Sequence, residues 1–133
     1  MRIITLCFAV LLSCAVTANQ QAFEIWSENM TQCTLGFDAE PKVHWDGKSA
    51  LPISFKQIQA IFSSWAENNL TATEVAHVTS YELASVAAKG LEMNHWVFKI
   101  KYVVFESDVP SVSFNRKIAV DLTGQIIEAE CGR

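Results

Sequence analysis

The chain has 133 residues, half of them hydrophobic, and ten basic side chains against fourteen acidic ones give a net charge of −4. That length suits one domain around one core. The acidic balance excludes nucleic acid as a partner, because phosphate binding needs a basic face.

The chain opens as an exported protein does. Arg2 supplies a short positive start, and Ile3 to Leu12 is almost wholly apolar. This run is shorter than the roughly 20 residues that span a bilayer, and it predicts a signal peptide over residues 1–18. The small residues of Val16-Thr17-Ala18 place the cut after Ala18. A second reading takes Leu11-Leu12-Ser13-Cys14 as a lipoprotein signal of residues 1–13 with lipid on Cys14. The first is preferred, because Leu12 is a less usual neighbour for a lipidated cysteine. The protein is therefore expected to be secreted or periplasmic, or else lipid-anchored to the envelope, with a membrane contact only through Cys14.

Either cut leaves Cys33 and Cys131, and in an exported protein two such cysteines most simply pair. Their bridge closes a loop of nearly the whole domain, a constraint of about 4–5 kcal/mol in chain-entropy terms. Arg2 leaves with the leader, so nine basic residues then face fourteen acidic ones, a net charge of −5. Asn29-Met30-Thr31 and Asn69-Leu70-Thr71 both fit the N-glycosylation sequon.

Residues 19–41 read as an irregular N-terminal segment, with a short strand suggested by Phe23, Ile25 and Trp26. Residues 42–133 read as the folded domain. Lys42 to Trp45 predicts a strand, and Asp46-Gly47 and Pro52 predict turns. The clearest helix follows. Ser54 and Gln57 form a capping box, Ile53 and Ile58 a hydrophobic staple, and Phe55, Ile58, Ile61, Phe62 and Trp65 an apolar stripe. Asn68-Asn69 ends it. Residues 71–89 fit either a helix or a strand; the Val, Thr and Tyr content of 75–81 favours the strand, with Val75, His77, Thr79, Tyr81 and Leu83 on one face.

From Trp96, bulky residues alternate through Phe98, Ile100, Tyr102 and Val104, with Lys99 and Lys101 in the other phase. The alternation resumes at Val112, Phe114, Ile118 and Val120. A two-residue loop at Thr123-Gly124 would set Val120 opposite Ile127, Ile118 opposite Ala129, Lys117 opposite Glu130 and Arg116 opposite Cys131. Lys99, Lys101 and Lys117 would then share a solvated outer face of the sheet.

No arrangement of catalytic groups stands out. His44, His77 and His95 lack metal-ligand spacing, no two carboxylates fall together, and neither a nucleophile elbow nor a glycine-rich phosphate loop occurs. No metal or cofactor is expected. Trp45, in a loop-like stretch, is the best candidate for an exposed partner-binding anchor. Trp65, Trp96 and Tyr102 would border any small ligand held between helix and sheet.

The order of strand, long helix and four-strand meander over about residues 42–131 resembles the cystatin-like architecture. The likeness is best in Ser85 to Ser107, "SVAAKGLEMNHWVFKIKYVVFES". It implies an α+β fold, one long helix on a four- to five-stranded antiparallel sheet, and partner-binding loops at Ala88-Lys89-Gly90 and Thr123-Gly124, with Gly36 a loose match to the family's N-terminal glycine. The first hairpin carries no Gln-x-Val-x-Gly and the second no Pro-Trp pair, so the likeness implies architecture more than inhibition. If 71–89 is helical, PepSY-type domains are the better comparison. The functional expectation is a non-enzymatic binding or inhibitor-like module for an unidentified protein or peptide; the alternative is a small-molecule or lipid-binding domain of the envelope.

Overall fold

The computed structural model describes residues 21–28, 30–111 and 116–132. The leader, Cys14, the Asn29 sequon position, Val112 and Phe114 lie outside the described residues. In chain order the elements are β1 (Gln21–Glu28), β2 (Thr31–Phe37), α1 (Phe55–Asn69), β3 (Glu74–Val86), β4 (His95–Glu106), β5 (Val109–Pro110), β6 (Arg116–Asp121), β7 (Ile126–Glu128) and β8 (Glu130–Gly132).

The two phases of β4 organise the layers. Phe98, Ile100, Tyr102 and Val104 point one way and meet Ile58 and Phe62 of α1, together with Ile118, Val120 and Leu122. Val97 points the other way, into a second core with Leu35, Phe37, Val86, Ala119 and Ile127. The larger sheet, ordered β3-β4-β6-β7 with β5 on β4, is thus covered by a helix on one face and by a three-stranded sheet, β1-β2-β8, on the other. All strand pairs are antiparallel.

This corrects the expected α+β fold. Among the described residues half are in strands and 14% are helical, in one short helix of 15 residues. The segment expected to be irregular forms most of the second sheet, as a hairpin pairing Gln21 with Phe37 through to Glu28 with Thr31. A bulge between Ala22 and Glu24 breaks the two-residue period of β1 and hides its strand character. The face that carries Lys99 and Lys117 is consequently roofed over rather than solvated. Glu24 of β1 reaches across the layers to both ammonium groups, 3.1 Å from Lys99 and 2.7 Å from Lys117. Burial alone would raise the Glu24 pKa; hydrogen bonds and charge from Lys117 and Lys99 outweigh it and hold the carboxyl below its ordinary value.

The helix forms as its local sequence dictates. Ser54 Oγ accepts from Gln57 N at 3.1 Å, and Gln57 Oε1 accepts from Ser54 N at 2.8 Å. At the other end Asn68 and Asn69 side chains donate to the carbonyls of Ser64 and Trp65. Within segment 71–89, Glu74–Val86 is strand, but a bulge after Val78 shifts its phase, with Thr79 Oγ1 donating to the Lys101 carbonyl. Ala76, Val78, Tyr81 and Leu83 therefore face the helix side, while Val75 is exposed and His77 meets Phe105 edge-on.

The last hairpin is shifted by one residue from the expected register. Ile118 pairs with Glu128, Ala119 with Ile127 and Val120 with Ile126. The loop has three residues rather than two, because Asp121 Oδ1 collects donors from Thr123 N, Thr123 Oγ1 and Gln125 N. Gly124 adopts φ +89° there, and a Cβ would stand 3.2 Å from Ile61 Cδ1. A one-residue slip exchanges the faces. Ile127 enters the second core, Glu128 turns to the helix side, and the expected pairing of Arg116 with Cys131 is not made: Arg116 pairs with Tyr102 on β4, and Cys131 with Cys33. Cys131 pairs directly with Cys33 across β2 and β8, bridged, with Cα atoms 4.0 Å apart.

Candidate functional site

β7 is an edge. Its only ladder among the described residues is to β6. Asp121 N donates to Gln125 O at 3.0 Å, which fixes the alternation of the hairpin. Ala119 and Ile127 are therefore the next hydrogen-bonded pair, and the N–H and C=O groups of Ile126 and Glu128 point away from β6. They point toward an open groove of about 680 Å³, bounded on its far side by Gly36 to Lys42, the segment that leaves β2.

Asp38, Glu40, Asp121, Glu128 and Glu130 line this groove, against one cation among the described residues, Lys42. Asp121 is committed to its own loop, and Glu128 accepts from Trp65 Nε1 at 2.5 Å. Asp38, Glu40 and Glu130 are exposed carboxylates facing the channel.

One wall of the groove rests on a buried histidine. His95, 1% exposed, opens β4; its Nε2 lies 3.6 Å from Glu40 and its ring 5.1 Å from that of His44. Neither ring nitrogen has a hydrogen-bond partner among the described residues. Burial, and then the neighbouring His44, push the His95 pKa down, while Glu40 pulls the other way.

The residues singled out from sequence are divided by the structure. Val97 pairs with Asp121, so the loops after β3 and after β6 lie at one end of the sheet. Thr123 and Gly36 line the groove. Gly124 packs on Ile53 and Ile61. Ala88 is buried in the second core, whereas Lys89 and Gly90 are exposed, Lys89 N donating to the Ala22 carbonyl. Trp45 is turned inward. Its Nε1 donates to Ser49 O, and its ring meets Trp96 edge-on at 4.9 Å. Gly47 permits that packing, since a Cβ would lie 3.3 Å from Trp96 Cζ2. Trp96 is thereby separated from Trp65 and Tyr102, which meet at 5.5 Å near the other end of the helix. Among the described residues no three His, Cys, Asp or Glu side chains are placed to hold a metal ion.

Sequence reasoning missed the acidic groove. Its two main walls are segments 79 positions apart, from Lys42 to Asp121, and its carboxylates are scattered along the chain. No protein-family model, curated protein or solved structure matches this chain.

Proposed function

We propose that this protein is an exported, non-enzymatic binding or inhibitor-like module, and that its protein or peptide partner docks as an extended segment beside β7. The observation that carries this reading is the outward-facing backbone of Ile126 and Glu128 along an open groove. A strand edge of this kind gives affinity through main-chain hydrogen bonds and specificity through alternate side chains. Its two outward residues provide up to four hydrogen bonds, about 1 kcal/mol net each. Micromolar affinity needs about 8 kcal/mol. The remainder must come from side chains, and Asp38, Glu40 and Glu130 favour a partner with Lys or Arg at alternate positions.

Export is part of the same proposal. The disulfide is compatible with an extracellular or periplasmic site, and among the described residues no helix is long and apolar enough to cross a membrane. Intact mass of the native protein separates a start after Ala18 from a lipid on Cys14.

The docking is tested by calorimetry with short extended peptides of alternating Lys and Val. The native peptide should bind with an affinity that falls as salt rises. A copy with alternate backbone nitrogens methylated should bind at least about tenfold more weakly, having lost its main-chain donors. Equal affinity for the two peptides would refute the strand-edge mode.

A further inference from the structure

A second hollow, of about 360 Å³, lies between α1 and the strands β6 to β8. It shares Trp65, Glu128 and Ala129 with the β7 groove, but what is drawn from it does not rest on the peptide-docking reading. Its walls include Trp26, Trp65 and Tyr102, the Cys33–Cys131 bridge, and two cations, Arg116 and Lys117, beside two carboxylates, Glu28 and Glu128. Trp65 and Tyr102 stand edge to face at 5.5 Å and 71°. Pockets of this size, with apolar walls and few polar groups, suit small organic ligands.

Both carboxylates of the lining are engaged, Glu128 by Trp65 Nε1 and Glu28 by a contact of its own, whereas two of the donors have no carboxylate among the described residues. Arg116 is half-buried and donates to the Ser111 hydroxyl at 3.3 Å, with no carboxylate within ion-pair distance among the described residues. The Trp26 indole N–H is buried and has no partner among the described residues. Burial pushes the Tyr102 pKa up to about 12, so its hydroxyl stays protonated at neutral pH. Lys117, over the Trp26 ring at 4.6 Å, is already neutralised by Glu24, and Glu128 already accepts from Trp65.

We propose that this hollow is a binding site for a small aromatic carboxylate, its ring between Trp65, Tyr102 and Trp26 and its carboxylate on the Arg116 guanidinium. A planar ring matches the edge-to-face walls, and an acceptor with two oxygens matches the guanidinium fork. A fatty acid offers Arg116 the same carboxylate but no planar ring to the aromatic walls, and an aromatic cation would meet Arg116 with like charge; both are disfavoured.

The test is calorimetry and tryptophan fluorescence on the intact protein with phenylacetate, against neutral phenylacetamide, ring-free acetate and decanoate. Phenylacetate should bind saturably at one site, with the amide and acetate at least about tenfold weaker and decanoate no tighter. Arg116→Gln should weaken phenylacetate at least about tenfold and Arg116→Lys by less, because a lysine keeps the charge without the fork. Trp45→Phe, at the other end of the sheet, should leave binding unchanged. No saturable binding, equal affinity for acid and amide, tighter binding of decanoate, or unchanged affinity in a folded Arg116→Gln protein would each overturn the site. Should Arg116→Gln fail to fold, the acid and amide comparison on the native chain decides.

Discussion

Breaking the Cys33–Cys131 bridge should cost more than any other single covalent change. The cysteines are 98 positions apart, so the bridge closes a loop of about 100 residues, for which chain entropy gives about 4.7 kcal/mol. A domain near this size loses about 4 °C of Tm per kcal/mol, which predicts a fall of about 15–20 °C. The loss should begin locally. β8 has three residues, all exposed, paired only with β2 among the described strands. Without the bridge it should detach and leave β1 and β2 held to the larger sheet by Leu35 and Phe37. Calorimetry with and without reductant measures the fall, and amide exchange locates it. Cys131→Ser should reproduce the effect, since Cys131 is exposed and its replacement leaves no buried void. A drop of less than about 4 °C, with β8 amides still protected, would refute the reasoning.

Stability should also depend on pH through His95. Its pKa lies below the ordinary 6.5, so it stays neutral in the fold while the unfolded chain takes up a proton. Its contribution is complete above about pH 6.5 and is lost as pH falls from there through the folded value. Tm should decline across that window, and His95→Gln should flatten the decline; a flat native profile contradicts this. Ser54→Ala removes the capping box and should cost about 1 kcal/mol by denaturant unfolding, whereas no change would mean that the cap contributes nothing. Glu24→Gln leaves two part-buried ammonium groups facing an amide. It should cost about 1–3 kcal/mol, below the value for a fully buried pair because the groups keep some exposure. Adding Lys117→Met should recover part of that, and strict additivity would show that the pair is uncoupled.

What could be read from the sequence was local or strongly periodic. The Ser54 and Gln57 box, the stripe of α1 and the alternation of β4 each announce themselves within one element, and the structure has all three. The disulfide followed from counting, and it too is present. The features that escaped depend on single-residue details or on distance. The Asp121 carboxylate lengthens the last turn by one residue and exchanges the faces of Ile127 and Glu128. The bulge after Val78 reverses the phase of β3 midway. The second sheet needs β2 to pair with β8 almost 100 positions later, so nothing near Gln21 signals that Lys99 and Lys117 will be covered. The groove inherits this blindness, since one wall belongs to each end of the chain.

The most direct test of the docking account is an amide chemical-shift map of the labelled protein titrated with the Lys-Val peptide. The account predicts the largest shifts at Ile126 and Glu128, with smaller ones along Asp38 to Lys42 and none along the exposed edge of β3. Shifts centred on β3, or on the Lys89-Gly90 turn with β7 silent, would contradict it.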